Sequence, residues 1–164
     1  MSDTTWLQSR LAAIGARILR TRTLMRTPIW IYRAGAGGLL GSRFLMLEHI
    51  GRKSGIARNV VLEVIGHPAA DSYLVASGFG ERAQWFRNIK ANPQVRVYAG
   101  ARSPSRATAR VLPREEAGRA LDEYARRHPQ AWKQFKPVLE RTLGGPIAET
   151  DTALPIVELR LSYA

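Results

Sequence analysis

Cysteine is absent from the 164 residues, which excludes disulfides, thiol nucleophiles, iron–sulfur ligation and cysteine-based zinc sites. Histidine is scarce. His49, His67 and His128 lie far apart, with no H-x-x-x-H or comparable spacing, so no metal centre is expected. No apolar run approaches the roughly 18 residues of a membrane span. The N-terminus shows neither the apolar region nor the cleavage site of a signal peptide, and the expected location is the cytoplasm. Redox chemistry in such a chain would need an organic cofactor.

Acidic residues are also in short supply, 13 Asp and Glu against 25 Lys and Arg, for a formal charge of +12. The excess is uneven. Residues 1–60 carry ten Lys and Arg against Asp3 and Glu48, a net of +8, and the remainder carries fifteen against eleven, a net of +4. The first third is therefore the part that faces an anion. Nucleic acid, an anionic membrane surface or a polyanionic small molecule could all supply one. The basic residues are not interleaved with aromatic stacking residues on any expected strand, so a nucleic-acid partner is not expected.

At this length, and with 45% hydrophobic residues, one domain with a substantial core is expected. In residues 5–21, Leu7, Leu11, Ile14 and Ile18 recur at helical spacing while Arg10, Arg17 and Arg20 fall away from that face. Such a helix packs on its own domain or lies on a membrane surface. Pro28 interrupts the next apolar stretch, and the glycine-rich run at 35–41 ends any helix there.

From Phe44 the pattern changes to short apolar runs at 44–47, 60–65, 73–76, 95–98 and 156–161, bounded by Gly, Pro, Asp or Asn, with a further strand over 106–112. Helical spacing covers 81–91, 113–127 and 130–143. Six short strands interrupted by helices predict an α+β fold, a small antiparallel barrel with helices packed on it. The expected organisation is a basic helical segment at 1–42, barrel strands at 43–112, a helical insertion at 113–145 and a closing strand at 155–161.

Two motifs point to chemistry. Gly51-Arg-Lys-Ser-Gly55, with Arg58 just beyond, places three cations and two glycines on one turn between strands. Glycine permits the strained backbone that turns successive N–H groups toward one point, and cations beside such a nest suit a phosphate or carboxylate. The turn alone fits an anion cradle and a solvated basic hairpin alike. The second motif is Ala76-Ser-Gly-Phe-Gly80, followed by Trp85. A glycine-rich strand exit lets backbone approach a planar ligand, and Trp85 offers a flat apolar face beside it. The alternative is an ordinary glycine turn with a core tryptophan.

Taken in series, Gly51-Arg-Lys-Ser-Gly55, Arg58, Val75-Ala-Ser77, Trp85-Phe-Arg-Asn-Ile89 and Ala91-Asn-Pro93 resemble the deazaflavin-dependent nitroreductase family. This family is a branch of the flavin/deazaflavin oxidoreductases with a split β-barrel fold. The resemblance is good over 45–111 and looser to Leu161. It implies a reductase using coenzyme F420, an 8-hydroxy-5-deazaflavin with a phosphodiester and an oligoglutamate tail, to reduce a small hydrophobic enone, quinone or nitro-compound. By motif match, Arg52, Lys53, Ser54 and Arg58 would hold the phosphate and tail. Ala76, Ser77, Gly78, Gln84, Trp85 and Asn88 would line the ring and ribityl section.

A homodimer and a peripheral membrane contact belong to the same expectation. FMN is the second cofactor candidate, and haem a weaker one. A non-catalytic carrier of a fatty acid or other amphiphile is the rival function. The proton that completes a reduction could come from Tyr32, Tyr73, Tyr98, Tyr124 or water.

Overall fold

Backbone hydrogen bonding carries the strands further than the apolar runs suggest. In a computed structural model, which describes residues 43–100, 102–148, 150 and 152–162, β1 (Phe44–Ile50) and β2 (Ala57–Gly66) form an unbroken antiparallel ladder from Phe44↔Glu63 to Ile50↔Ala57. It runs through Glu48, His49, Arg58 and Asn59, because ladder hydrogen bonds use the main chain and are indifferent to side-chain polarity. The turn between the strands closes with Gly51 N–H donating to Ile56 O at 2.9 Å and Gly55 N–H to Gly51 O at 2.8 Å. Gly55 has φ of 67°, the left-handed region where a Cβ is costly.

The remaining strands are β3 (Ser72–Ala76), β4 (Gln94–Ala99), β5 (Ser105–Val111) and β6 (Ile156–Leu161). All pairings are antiparallel, and the sheet closes on itself in the order β1-β2-β3-β6-β5-β4. The last strand is thus the staple. It pairs with β3 through Val75↔Val157 and with β5 through Ala109↔Leu159, leaving no open edge.

Alternation sorts the strand residues between two cores. Leu45, Leu47, Tyr73, Val75, Val95, Val97, Val157 and Leu159 point into the barrel, where Trp85, Phe86 and Ile89 of α1 (Gln84–Ala91) join them. Leu74 and Ile156 face the other way. They meet Leu121 and Tyr124 of α2 (Arg114–Arg127) and Trp132 of α3 (Pro129–Leu143). Fully burying one such leucine or isoleucine contributes about 1.5–3 kcal/mol. Pro113 precedes α2, Glu115 and Glu116 occupy its first turn, and Gly144 ends α3 in the left-handed conformation at φ 79°.

The α+β barrel with packed helices is therefore the fold expected from the strand pattern. The helix expected over 81–91 is divided. A 3₁₀ turn, Gly80–Arg82, comes first, and Ala83, extended at φ −57° and ψ 129°, separates it from α1. The helices expected within 1–42 lie outside the described residues. Among the described residues, no helix is long and apolar enough to cross a membrane.

Candidate functional site

The β1–β2 turn and α1 face each other across a cleft of about 560 Å³. Arg52 ties the two walls. Its backbone N–H donates to Asn88 Oδ1 at 3.2 Å, its Nη1 to the same oxygen at 2.9 Å, and Nη1 also to Gln84 Oε1 at 3.0 Å. Gln84 and Asn88 are four residues apart in α1, on one face one turn above the other, so both reach a single guanidinium. Ser54 steadies the turn by accepting from Ile56 N–H at 3.3 Å. A Cβ on Gly51 would stand 2.6 Å from Ser54 Oγ and 3.3 Å from Ile56 O, so the turn closes this tightly only around glycine.

Arg52, Lys53, Ser54, Arg58, Gln84, Trp85 and Asn88 all line this cleft, brought together from a turn, a strand and a helix. Lys53 and Arg58 have no acidic partner among the described residues, and no carboxylate lines the cleft. The potential inside is therefore positive and unopposed. Trp85 is only partly a cleft residue. Being 8% exposed, it spends most of its ring in the barrel core, edge-on to Phe86 at 5.9 Å.

Ala76, Ser77 and Gly78 are not among the residues lining the cleft. Ser77 is fully buried, with its hydroxyl donating to Gly80 O at 2.7 Å. A Cβ on Gly78 would lie 3.3 Å from Leu139, and one on Gly80 2.9 Å from Leu143, so this glycine motif lets α3 pack close against the strand exit. Its consequence for the cleft is Phe79, which it carries to the lining with half its surface exposed.

His49, Asn59, Val60 and Phe79 also belong to the lining, and none was singled out as a binding residue from the sequence. One signal was available for His49. It continues the two-residue alternation of Leu45 and Leu47, and so falls on the barrel's inward side. The ring is 4% exposed, and its Nδ1 lies 3.1 Å from Asn88 Nδ2. Burial, reinforced by the positive charge of Arg58, pulls its pKa down to about 4. Asn59 Oδ1 is buried without a hydrogen-bond partner among the described residues.

Tyr73 packs in the barrel core with His67 edge-on at 4.9 Å. Tyr98 donates to Glu48 Oε2 at 3.3 Å, and Tyr124 to Glu63 Oε1 at 3.0 Å. Burial first, and the neighbouring carboxylate second, push both phenols above their ordinary pKa. None of the three lines the cleft. Tyr32 lies outside the described residues.

Comparison with known proteins bears on the family and the fold. The profile of the family described as F420H(2)-dependent quinone reductase matches residues 24–157. No protein of curated function matches significantly. Among solved structures, an F420-H2 dependent reductase (FDR-A) is 23% identical, with a TM-score of 0.50 over 72% of this chain and 94% of that one. A structure described as a domain-swapped dimer is 21% identical, with a TM-score of 0.52 over 97% and 100%. A Listeria innocua protein assigned to the pyridoxamine 5'-phosphate oxidases is 11% identical, with a TM-score of 0.51 over 81% and 94%. At these identities the structural likenesses establish a shared fold.

Proposed function

The chain belongs to the F420H(2)-dependent quinone reductase family, and on that premise we propose that it holds the reduced deazaflavin coenzyme in the cleft between the β1–β2 turn and α1 and reduces a small uncharged quinone. The observation that carries the site is the lining itself, with Arg52, Lys53 and Arg58 beside a buried, unpartnered Asn59 acceptor and no carboxylate. That donor set fits a coenzyme with a phosphodiester, a carboxylate tail and hydroxyl groups. When bound, the reduced coenzyme would supply a hydride, which carries both electrons and together with one proton converts a quinone to a quinol.

The protein's own work is grip, orientation and exclusion of water. Arg52 is held by Gln84 and Asn88 before any ligand arrives, so little side-chain entropy is lost when it meets a phosphate. Lys53 and Arg58 add charge-assisted contacts from the same turn, and Ser54 a hydroxyl. Trp85 and Phe79 offer the aromatic surface for a planar ring. Ala76, Ser77 and Gly78 act through the position they give Phe79. Among the described residues the lining offers no carboxylic acid or phenol as proton donor, which favours solvent water as the source of the proton that a quinol requires.

Enones and nitro-compounds share the electrophilic character of quinones, but the family description favours quinones. Membership of a reductase family supports the coenzyme over carriage of a fatty acid or other amphiphile. A homodimer belongs to the same proposal, supported by the relative that is a domain-swapped dimer.

Titration of the protein with coenzyme F420, followed by quenching of tryptophan fluorescence with FMN in a parallel cell, tests this reading. Saturable binding of the deazaflavin at about micromolar Kd, and oxidation of its reduced form on adding a quinone, are expected. Absence of deazaflavin binding would overturn the reading, and tighter binding of FMN would replace the coenzyme.

A further inference from the structure

His49 has a defined proton position, fixed by the groups around it. Asn88 Oδ1 accepts from two groups of Arg52, the backbone N–H and Nη1, at 3.2 and 2.9 Å. Both are obligate donors, so the amide of Asn88 can be oriented in only one way. Its Nδ2, 3.1 Å from His49 Nδ1, therefore donates, and Nδ1 must accept. In a neutral imidazole the single ring proton then sits on Nε2.

That Nε2–H has no partner among the described residues, yet it is not sealed in, because the buried side-chain atom left unpartnered is Asn59 Oδ1 and not the imidazole. The space that His49 borders is the cleft. The charged groups sharing that space are Arg58 of β2, its cross-strand partner, and Arg52 and Lys53 of the turn. α1 presents only Gln84, Trp85 and Asn88. Burial first, and the positive charge of Arg58 second, disfavour a charged imidazole, and among the described residues no carboxylate lines the space to offset them. His49 also stands two residues before Gly51, directly behind the basic turn.

We infer that His49 is a ligand-binding residue of the cleft, a neutral imidazole locked as the Nε2–H tautomer that donates one hydrogen bond to an oxygen in the phosphodiester-bearing section of the coenzyme. The inference rests on the cleft being the coenzyme site. A neutral donor adds direction without adding charge. The turn supplies the attraction to the anion, His49 fixes the depth and angle at which it seats, and its contribution is constant from about pH 6 to pH 8.

Long-range ¹H–¹⁵N correlation spectra of the free wild-type protein read the tautomer without any turnover. His49 is expected as neutral Nε2–H across that pH range, with the Nε2–H proton moving downfield when oxidised coenzyme F420 is added. Titrations with the same coenzyme supply the second readout. In His49→Gln the side-chain amide can donate from near the place of Nε2, and affinity should stay within about threefold. His49→Phe removes the donor and should weaken binding about tenfold.

A free protein showing Nδ1–H or a charged ring would overturn the inference. So would a folded His49→Phe variant that binds as tightly as wild type. Should His49→Phe fail to fold, the wild-type spectrum and its response to coenzyme decide the matter alone. Wild-type protein that binds no coenzyme brings down the reading of the cleft and this inference together. Undiminished binding by His49→Phe brings down this inference only.

Discussion

Asn88 Oδ1 accepts from Arg52 twice, at 3.2 Å from the backbone N–H and at 2.9 Å from Nη1, so one helix residue sets both the path of the basic turn and the aim of its first cation. The same side chain reaches His49 from its other end at 3.1 Å. Basic turn, helix and buried imidazole are thereby a single hydrogen-bonded unit.

Breaking that unit should cost more than one contact. Asn88→Ala leaves His49 Nδ1 buried without a donor and frees Arg52, and a loss of about 1–3 kcal/mol in urea denaturation is expected. Coenzyme affinity should fall about tenfold in fluorescence titration, because the cation must then be ordered at the moment of binding. Asn88→Asp keeps the acceptor for Arg52 but offers no donor to Nδ1. It should raise the His49 pKa from its depressed value near 4, visible as a shifted imidazole titration by NMR.

The positive turn is the second point of attack. Arg52→Ala combined with Lys53→Ala should weaken coenzyme binding at least about tenfold and flatten its dependence on salt, since two charge-assisted phosphate contacts disappear. A folded double mutant with unchanged affinity, measured at two ionic strengths, would remove the turn from the site.

Gly55 offers a test on the backbone. Its φ of 67° is open to glycine, while a Cβ there meets nothing within 4 Å, so strain alone decides the outcome. Gly55→Ala should destabilise by about 1–2 kcal/mol and Gly55→Asn by less, because asparagine tolerates the left-handed region better. Thermal unfolding of the two variants side by side checks the order.

On the far side of the barrel, Glu158 is 4% exposed and accepts from Ser72 Oγ at 2.9 Å, Arg110 Nε at 2.9 Å and Arg160 Nη2 at 3.1 Å. Burial alone would push its carboxyl up, but the hydrogen bonds from Arg110, Ser72 and Arg160 more than reverse this, and the pKa lies below the ordinary value. A carboxylate depressed in the folded state contributes stability that is present above its unfolded pKa and lost as pH falls through the folded one. Glu158→Gln should therefore be less stable than wild type at neutral pH, and the gap should close below about pH 4. Denaturation midpoints across that range provide the check.

Local chemistry is legible in a sequence, and this one made much of the protein readable. The run Gly51-Arg-Lys-Ser-Gly55 carries its own turn, because the positive φ of Gly55 and the crowding at Gly51 are properties of a few neighbouring residues. The strands showed as apolar runs between breakers. α2 showed its start in Pro113 and the acids of its first turn. Series of short motifs, each weak alone, were enough to suggest the family.

Only the tertiary structure decided what stands beside what. β6 lies between β3 and β5, pairing Val157 with Val75, and no local pattern specifies a partner so far away in the chain, since strand order is settled by which closure buries the most apolar surface. The same closure turned Trp85 largely into the barrel and set Ala76-Ser-Gly78 against α3, while Phe79 was left at the cleft. Only the fold brings Asn88 of α1 to His49 Nδ1. The sequence by itself determined the basic turn, the apolar cores of the strands and the approximate course of the helices. Long-range packing decided which side chains share the cleft, because that depends on contacts between residues distant in the chain.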